Sequence, residues 1–322
     1  MAYFLGHSFS VQKKFSQLLQ KEHPDIVHHQ NISLLGYSIL EKKDRYLSLY
    51  TAHDYWLICQ TNNLLRSNGR TCDQKQCYSC ALAFKRFPQI WRQFKSFKKA
   101  ITRIDILISP SDFVRKRLLQ EIEVNSFTLP NFAPHPPDNI PNSGLSNYFL
   151  FVGLLEEHKG ILHLLNVFNE LKHDLKARLV IVGGGSLEKY VKSYIEKNSL
   201  GNKIFFLGFV SRLKLYSLYS NALALIVPSI WPENAPLVTL EAFSVGTPVI
   251  ASNKGGLPEI IEKVDRALIF NNWNELKQIL LNFSRKKFSP ESIRVICEKN
   301  FSPEAYTDKY LEIARAFGTN RL

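Results

Sequence analysis

Two carboxylates, Glu233 and Glu241, stand either side of Pro236 in the run PSIWPENAPLVTLEAFSVGTPVIAS (228–252). A strand is expected to end at Pro228, a loop to carry Glu233, and a helix to begin near Pro236, a residue pre-organised for a first helical position. Glu241 then falls on the second turn of that helix, and Gly246 ends it. Carboxylates accept hydrogen bonds from hydroxyls, whereas amides at a helix start bind phosphate. The combination suits a sugar linked to a diphosphate. A lysine, Lys159, closes the loop GLLEEHKG (153–160) after another expected strand. There it can neutralise a phosphate oxygen as a mobile point charge beside a helix N-terminus, or be simply a solvated lysine at a helix entry. Three glycines at 183–185 follow a third strand, where bare backbone can approach a ligand or merely make a tight connection.

These residues need a frame, and the second half supplies one. Apolar runs at 149–152, 179–182, 204–207, 223–227 and 249–251 alternate with amphipathic runs at 161–171, 187–197, 213–219, 237–245 and 257–261. Five strand–helix units in succession predict an α/β fold with a doubly wound parallel sheet. Ligands of such sheets bind beyond the carboxyl ends of the strands, where Lys159, Gly183 and Glu233 all fall. The first half carries strand candidates at 25–28, 46–50, 105–108 and 126–129 and also reads as α/β. A Pro-rich, polar stretch between the halves predicts a domain at 1–133, a linker at 134–147 that can serve as a hinge, and a second domain at 148–322 whose last helix crosses back.

The motifs in order along the chain resemble the retaining glycosyltransferase family 4. Glu233-x7-Glu241 followed by GGLPE (255–259) is similar to that family's donor-binding signature, and 153–160 resembles its Gly-Arg-Leu-x-x-x-Lys-Gly loop. Gly208, Pro130 with Asn131, PDIVH (24–28), TAHDYW (51–56) and SPS (109–111) also resemble family positions. The resemblance implies a GT-B fold, two Rossmann-like doubly wound domains facing a cleft. It implies a glycosyltransferase that moves a sugar from a nucleoside diphosphate sugar to a hydroxyl of a glycan or lipid-linked glycan, with retention, in polysaccharide or cell-envelope biosynthesis. Glu233 would contact the donor sugar, Glu241 the ribose and Lys159 the diphosphate. His53 would lie near the sugar, and the backbone of Asn234, Ala235, Pro236 and Leu237 would hold the distal phosphate, with Gly153, Gly183 and Gly208 lining the donor pocket. No cofactor or divalent metal is implied, because a lysine and a helix dipole supply the charge.

Two departures from the family pattern stand out. The arginine after the first loop glycine is Leu154, which removes a bidentate phosphate partner; Lys254, Arg212 and Lys214 are candidates to replace it. The strands that ordinarily precede the counterpart of 21–29 are missing, so a shortened N-terminal domain is expected. A non-catalytic or partner-dependent sugar-nucleotide-binding remnant is therefore the rival reading.

The chain of 322 residues is 45% hydrophobic and carries a formal charge of +13. This excludes global disorder and favours acidic partners. No window spans a bilayer and no signal-peptide core opens the sequence, so a cytoplasmic location is expected. Between Phe84 and Arg103 lie seven basic residues and no acidic one, interleaved with Phe84, Phe87, Trp91, Phe94 and Phe97 at helical spacing. Such a helix can lie peripherally on an anionic membrane, or turn its aromatics to the core. Nucleic acid is a weaker partner, since no recognition motif accompanies the charge. Cys59, Cys72, Cys77 and Cys80 have a closing Cys-x2-Cys suited to zinc but unusual outer spacings; plain thiols and a redox or iron–sulfur role are the alternatives.

Overall fold

The computed structural model describes residues 2–41, 46–66, 68–72 and 77–318. The chain divides into two compact units, one comprising residues up to Pro130 and from Thr307 onward, the other Asn131–Tyr306. The Pro-rich 134–147 stretch thus belongs to the second unit.

In the first unit, helices α1 (Ala2–Leu5) and α2 (Phe9–Glu22) precede β1 (Ile26–Gln30), α3 (Ser38–Glu41) and β2 (Leu47–Thr51). Helices α4 (Cys77–Ala83) and α5 (Lys95–Ile101) then lead to β3 (Ile106–Ser109), α6 (Asp112–Leu119) and β4 (Ser126–Thr128). The four strands pair in parallel in the order β1-β2-β3-β4. The two inner strands, LSLYT and ILIS, are buried along their whole length, as fits near-continuous apolar runs covered on both faces.

The single helix expected over 84–103 is not formed. Helix α4 ends at Ala83, Lys85 takes a left-handed φ of 54°, Pro88 cannot donate to a helical ladder, and Phe94 is extended ahead of α5. The aromatics divide accordingly: Trp91 and Phe97 are core residues, while Phe87 is 69% and Phe94 53% exposed.

The second unit runs β5 (Tyr148–Val152), α7 (Ile161–Glu170), β6 (Arg178–Val182), α8 (Glu188–Lys197), β7 (Ile204–Gly208) and α9 (Arg212–Asn221). It continues with β8 (Leu225–Val227), α10 (Leu237–Ser244), β9 (Val249–Ser252), α11 (Leu257–Ile261), β10 (Ile269–Phe270), α12 (Trp273–Asn282) and α13 (Pro290–Phe301), and α14 (Pro303–Gly318) follows. All strands are parallel, in the order β10-β9-β8-β5-β6-β7. The core is the sheet's apolar faces under helices such as α7, whose Ile161, Leu164, Leu165 and Phe168 recur every three or four residues and are fully buried. The order of winding reverses between β5 and β8, so the loops leaving these two strands border the crevice where doubly wound sheets take ligands.

Candidate functional site

The loops after β5 and β8 are knitted together. The first ends in a 3-10 turn, Glu157–Lys159, and Gly160 turns into α7 with φ 75°. A Cβ on Gly160 would lie 1.9 Å from the Pro228 carbonyl oxygen, so only glycine permits this approach. The Ile230 N–H donates to the His158 carbonyl at 3.0 Å. Lys159 is thereby aimed across the crevice. Its Nζ stands 2.7 Å from Glu233 Oε1 and 5.0 Å from the centre of the Trp231 ring. Ser229 Oγ donates to the same carboxylate oxygen at 2.6 Å. Glu233 is only 4% exposed, and its burial is tolerable because both donors meet it. His158 packs edge-on against Trp231, and burial together with the Lys159 charge lowers its pKa.

A third loop holds Glu233 from below. The Gly256 N–H donates to the Glu233 carbonyl at 2.7 Å, and Ser252 Oγ to the Ser229 carbonyl at 2.7 Å. Gly255, at φ 63°, would bring a Cβ within 2.1 Å of the Glu233 carbonyl oxygen. The GG of 255–259 is therefore a backbone seat for Glu233. After Glu233, Asn234 and Ala235 are buried, and Asn131 Nδ2 donates to the Ala235 carbonyl at 3.0 Å.

Pro236, expected at the first helical position, instead occupies the N-cap of α10, one place before Leu237, and its side chain makes no capping hydrogen bond. The first amides of the helix therefore lack an N-cap side-chain acceptor and give the crevice a positive helix end. Proline has no N–H, so Asn234, Ala235 and Leu237, but not Pro236, can offer amides. Glu241, on the same helix, accepts from the buried Tyr219 hydroxyl at 2.8 Å. An ammonium, a helix N-terminus and a buried carboxylate on one rim can bind an oxyanion beside a group rich in hydroxyls.

The remaining expected residues fall along the same carboxyl edge. Gly153 N–H donates to Val182 O at 3.1 Å and Gly183 N–H to Gly208 O at 2.9 Å, which ties together the ends of β5, β6 and β7. Glu156 links the loops after β5 and β6, accepting from the Ser186 amide at 2.8 Å and hydroxyl at 2.7 Å, and these bonds lower its pKa. Leu154 is 54% exposed. Arg212 and Lys214 donate to the carbonyls of His135 and Ser143, whereas Lys254 is exposed and directly precedes Gly255. Ser229, Trp231, Tyr219 and Ser252 escaped the sequence reading. Only Trp231, an aromatic between two prolines on the Glu233 loop, carried a local signal.

His53 belongs to the first unit. Its Nε2 stands 3.0 Å from Gln30 Oε1 at the carboxyl end of β1, and His28 Nε2, from the middle of β1, stands 2.7 Å from Thr51 Oγ1 at the carboxyl end of β2. Burial lowers the pKa of both imidazoles, and it raises that of Asp54, whose Oδ1 accepts from the Trp56 amide at 2.8 Å. Among the described residues, no three His, Cys, Asp or Glu side chains are grouped closely enough to hold a metal ion. Cys59, Cys72, Cys77 and Cys80 instead line one cavity.

The family model for glycosyl transferases group 1 matches residues 138–300, just over half of the chain, which include the whole crevice. The chain belongs to the group 1 glycosyltransferases. A second model, Glycosyltransferase Family 4, matches residues 2–133 of this group 1 glycosyltransferase. Relatives include an uncharacterised glycosyltransferase of Methanocaldococcus jannaschii, 39% identical over 35% of this chain and 29% of its own. The lipopolysaccharide 1,2-N-acetylglucosaminetransferase of Salmonella typhimurium is 29% identical over 48% of this chain and 46% of its own. The chain spans about half or less of these relatives. Among solved structures, sucrose-phosphate synthase of Thermosynechococcus elongatus superposes with a TM-score of 0.70 at 18% identity, over 96% of this chain and 77% of its own. Anabaena HepE in complex with UDP gives 0.66 at 16% identity, over 94% and 82%. The group 1 chain thus has the two parallel-sheet domains of the GT-B fold.

Proposed function

We propose that the chain transfers a sugar from a nucleoside diphosphate sugar to a hydroxyl of a glycan or lipid-linked glycan, with retention of configuration. The observation that carries the reading is Lys159 held 2.7 Å from buried Glu233 beside the uncapped start of α10. In this reading the diphosphate takes Lys159 and the amides of Asn234, Ala235 and Leu237, and Glu233 turns to the sugar hydroxyls. Glu241 takes the ribose. The bond from the anomeric carbon to the phosphate oxygen breaks, and the acceptor oxygen bonds to that carbon on the same face. The acceptor's proton passes to the departing phosphate. Lysine and helix dipole supply the charge, so no cofactor enters. The name of the Salmonella typhimurium lipopolysaccharide relative supports envelope glycans as the acceptor class, and the UDP complex of HepE supports a nucleoside diphosphate donor.

The test is calorimetric titration with UDP-, GDP- and ADP-sugars, comparing the wild type with Glu241→Ala and Lys159→Ala. Saturable binding weakened in both variants, with turnover lost in Glu233→Ala, is the expected result. Binding without turnover would leave only a sugar-nucleotide binder, and no binding by folded protein would overturn the reading.

No helix among the described residues is long and apolar enough to cross a membrane. We propose that the chain works at the inner face of an anionic membrane as a peripheral protein. Phe4, Leu5, Phe9, Phe87, Ile90 and Phe94 are each more than half exposed, and Phe4 contacts Phe87 with ring centres 5.6 Å apart. Exposed Lys85, Arg86, Lys95, Lys98 and Lys99 are interspersed among them in the chain.

A further inference from the structure

We propose that Cys59, Cys72, Cys77 and Cys80 bind a structural zinc ion as four thiolates in the first unit, a site separate from the sugar-transfer reading. The four half-buried thiols come from three segments that the fold brings to one cavity. Cys59 ends a turn in which its N–H donates to the Tyr55 carbonyl at 2.8 Å. Cys72 follows the short antiparallel bridge between Leu65 and Thr71, and its N–H returns to the Leu64 carbonyl at 2.6 Å. Cys77 opens α4 and Cys80 lies three residues on, so the Cys-x2-Cys pair shares one face of its first turn. A hairpin thiol, a turn thiol and a helix-borne Cys-x2-Cys are the parts from which closed zinc sites are assembled.

Two polar side chains, the buried Gln60 and the half-buried Arg92, lie beside these segments, and Arg92 keeps one buried nitrogen without an acceptor. Gln60, 6% exposed, donates through Nε2 to the Cys77 carbonyl and accepts from the Gln89 amide at 2.9 Å. The residue after one thiol thus holds the segment that bears the next. The Arg92 guanidinium donates to Gln89 Oε1 and the Trp56 carbonyl, both at 2.6 Å, but its buried Nη2 has no hydrogen-bond partner. Among ionisable groups, Cys59 and Cys77 act on Arg92 most strongly. A neutral thiol does little for a buried cation. A zinc-bound thiolate offers it a charge and an acceptor, and an outer-sphere cation of this kind offsets the net negative charge of a four-thiolate site. Since no three of these side chains are at ion-holding distance among the described residues, the proposal requires zinc to draw the sulfurs in to about 2.3 Å.

The test is the full chain, freed of any tag, purified from zinc-supplemented culture without chelator. Elemental analysis is expected to find about one zinc per chain, retained in Cys297→Ser, whose buried thiol lies in the second unit. Cys80→Ser is expected to lose roughly tenfold or more in zinc affinity. Should that variant fail to fold, the wild type exchanged into cobalt is expected to show the sulfur-to-cobalt charge-transfer and intense ligand-field absorption of a tetrahedral thiolate site. Zinc binding unchanged in folded Cys80→Ser would overturn the proposal. So would metal-free protein with four reactive thiols, disulfides in their place, or iron with labile sulfide.

Discussion

Lys159 and Glu233, 74 positions apart in the chain, meet at 2.7 Å because Gly160 and Gly255 let three loop backbones touch. The pair holds an ammonium at the crevice, and it also keeps a buried carboxylate compensated. Removing Lys159 leaves Glu233 with Ser229 as its remaining side-chain donor. Lys159→Ala is therefore expected to cost about 1–3 kcal/mol, below the figure for a fully buried pair because the lysine side chain is 22% exposed. The double variant Lys159→Ala/Glu233→Gln is expected to regain part of that stability in urea denaturation while still failing to bind donor. A double variant no more stable than Lys159→Ala would show that the carboxylate does not depend on the lysine.

Gly255→Ala separates backbone from side-chain effects. The new methyl would meet the Glu233 carbonyl and amide at 2.1 and 2.5 Å in a left-handed backbone. The left-handed conformation alone costs about 1–2 kcal/mol, and the clash adds to it. Gly201→Ala, with nothing within 4 Å, is the control. Thermal melts should show a large loss for Gly255→Ala and little change for the control. Equal melts would mean that the Gly255 turn relaxes freely and does not seat Glu233.

Tyr219→Phe removes the hydroxyl that Glu241 accepts at 2.8 Å. Burial and the Glu241 charge raise the Tyr219 phenol well above its usual value, so the bond is phenol to carboxylate. Its loss is expected to cost about 1–2 kcal/mol of stability. If Glu241 holds the ribose, the donor KM should rise several-fold while kcat changes little, since the ribose is remote from the bond that breaks. A fall in kcat at constant KM would place the effect elsewhere.

The strand–helix alternation of the second half was legible because buried parallel strands read as short apolar runs: 179–182 was expected and Arg178–Val182 is found, 249–251 was expected and Val249–Ser252 is found. Strand β10 was not, since two residues carry no period. Lys159 and Glu233 could be singled out by motif, but their ion pair could not, because it depends on glycines whose value lies in what a missing Cβ does not touch. Ser229 and Tyr219 were invisible for a similar reason: they are ordinary polar residues until the fold brings them to a carboxylate. The 84–103 helix failed where a period was followed through Pro88.

Part of the acid sensitivity should trace to His29 in the first unit, beside the contributions of His158 and Glu156 in the second. His29 is 4% exposed, its Nε2 has no hydrogen-bond partner, and burial lowers its pKa to about 4. The folded state therefore resists protonation that the unfolded chain accepts near 6.5. Above that pH both forms are neutral and the penalty is absent; as pH falls towards 4, stability is lost, by at most about 3 kcal/mol from this group. His28 and His53 shift in the same direction and add to the slope. Urea midpoints between pH 7 and 4 should fall more steeply for the wild type than for His29→Leu. Parallel curves would show that His29 is not the group responsible.

The proposed membrane association can be tested apart from bulk charge. Arg92, Trp91 and Phe97 are engaged with the core, so the proposed contact rests on Phe4, Phe9, Phe87 and Phe94 and the lysines beside them. Insertion of aromatic rings and attraction to anionic lipid respond differently to salt: the charge contribution is screened over about 8–10 Å at physiological ionic strength, and the apolar one is not. Phe87→Ser/Phe94→Ser should weaken sedimentation with vesicles containing phosphatidylglycerol at low and high salt alike. Lys95→Gln/Lys98→Gln should weaken it chiefly at low salt. All four side chains are exposed, so neither variant should lower the melting temperature. Vesicle binding unaltered by either variant would place the membrane contact elsewhere, and equal binding to neutral vesicles would remove the electrostatic part of the reading.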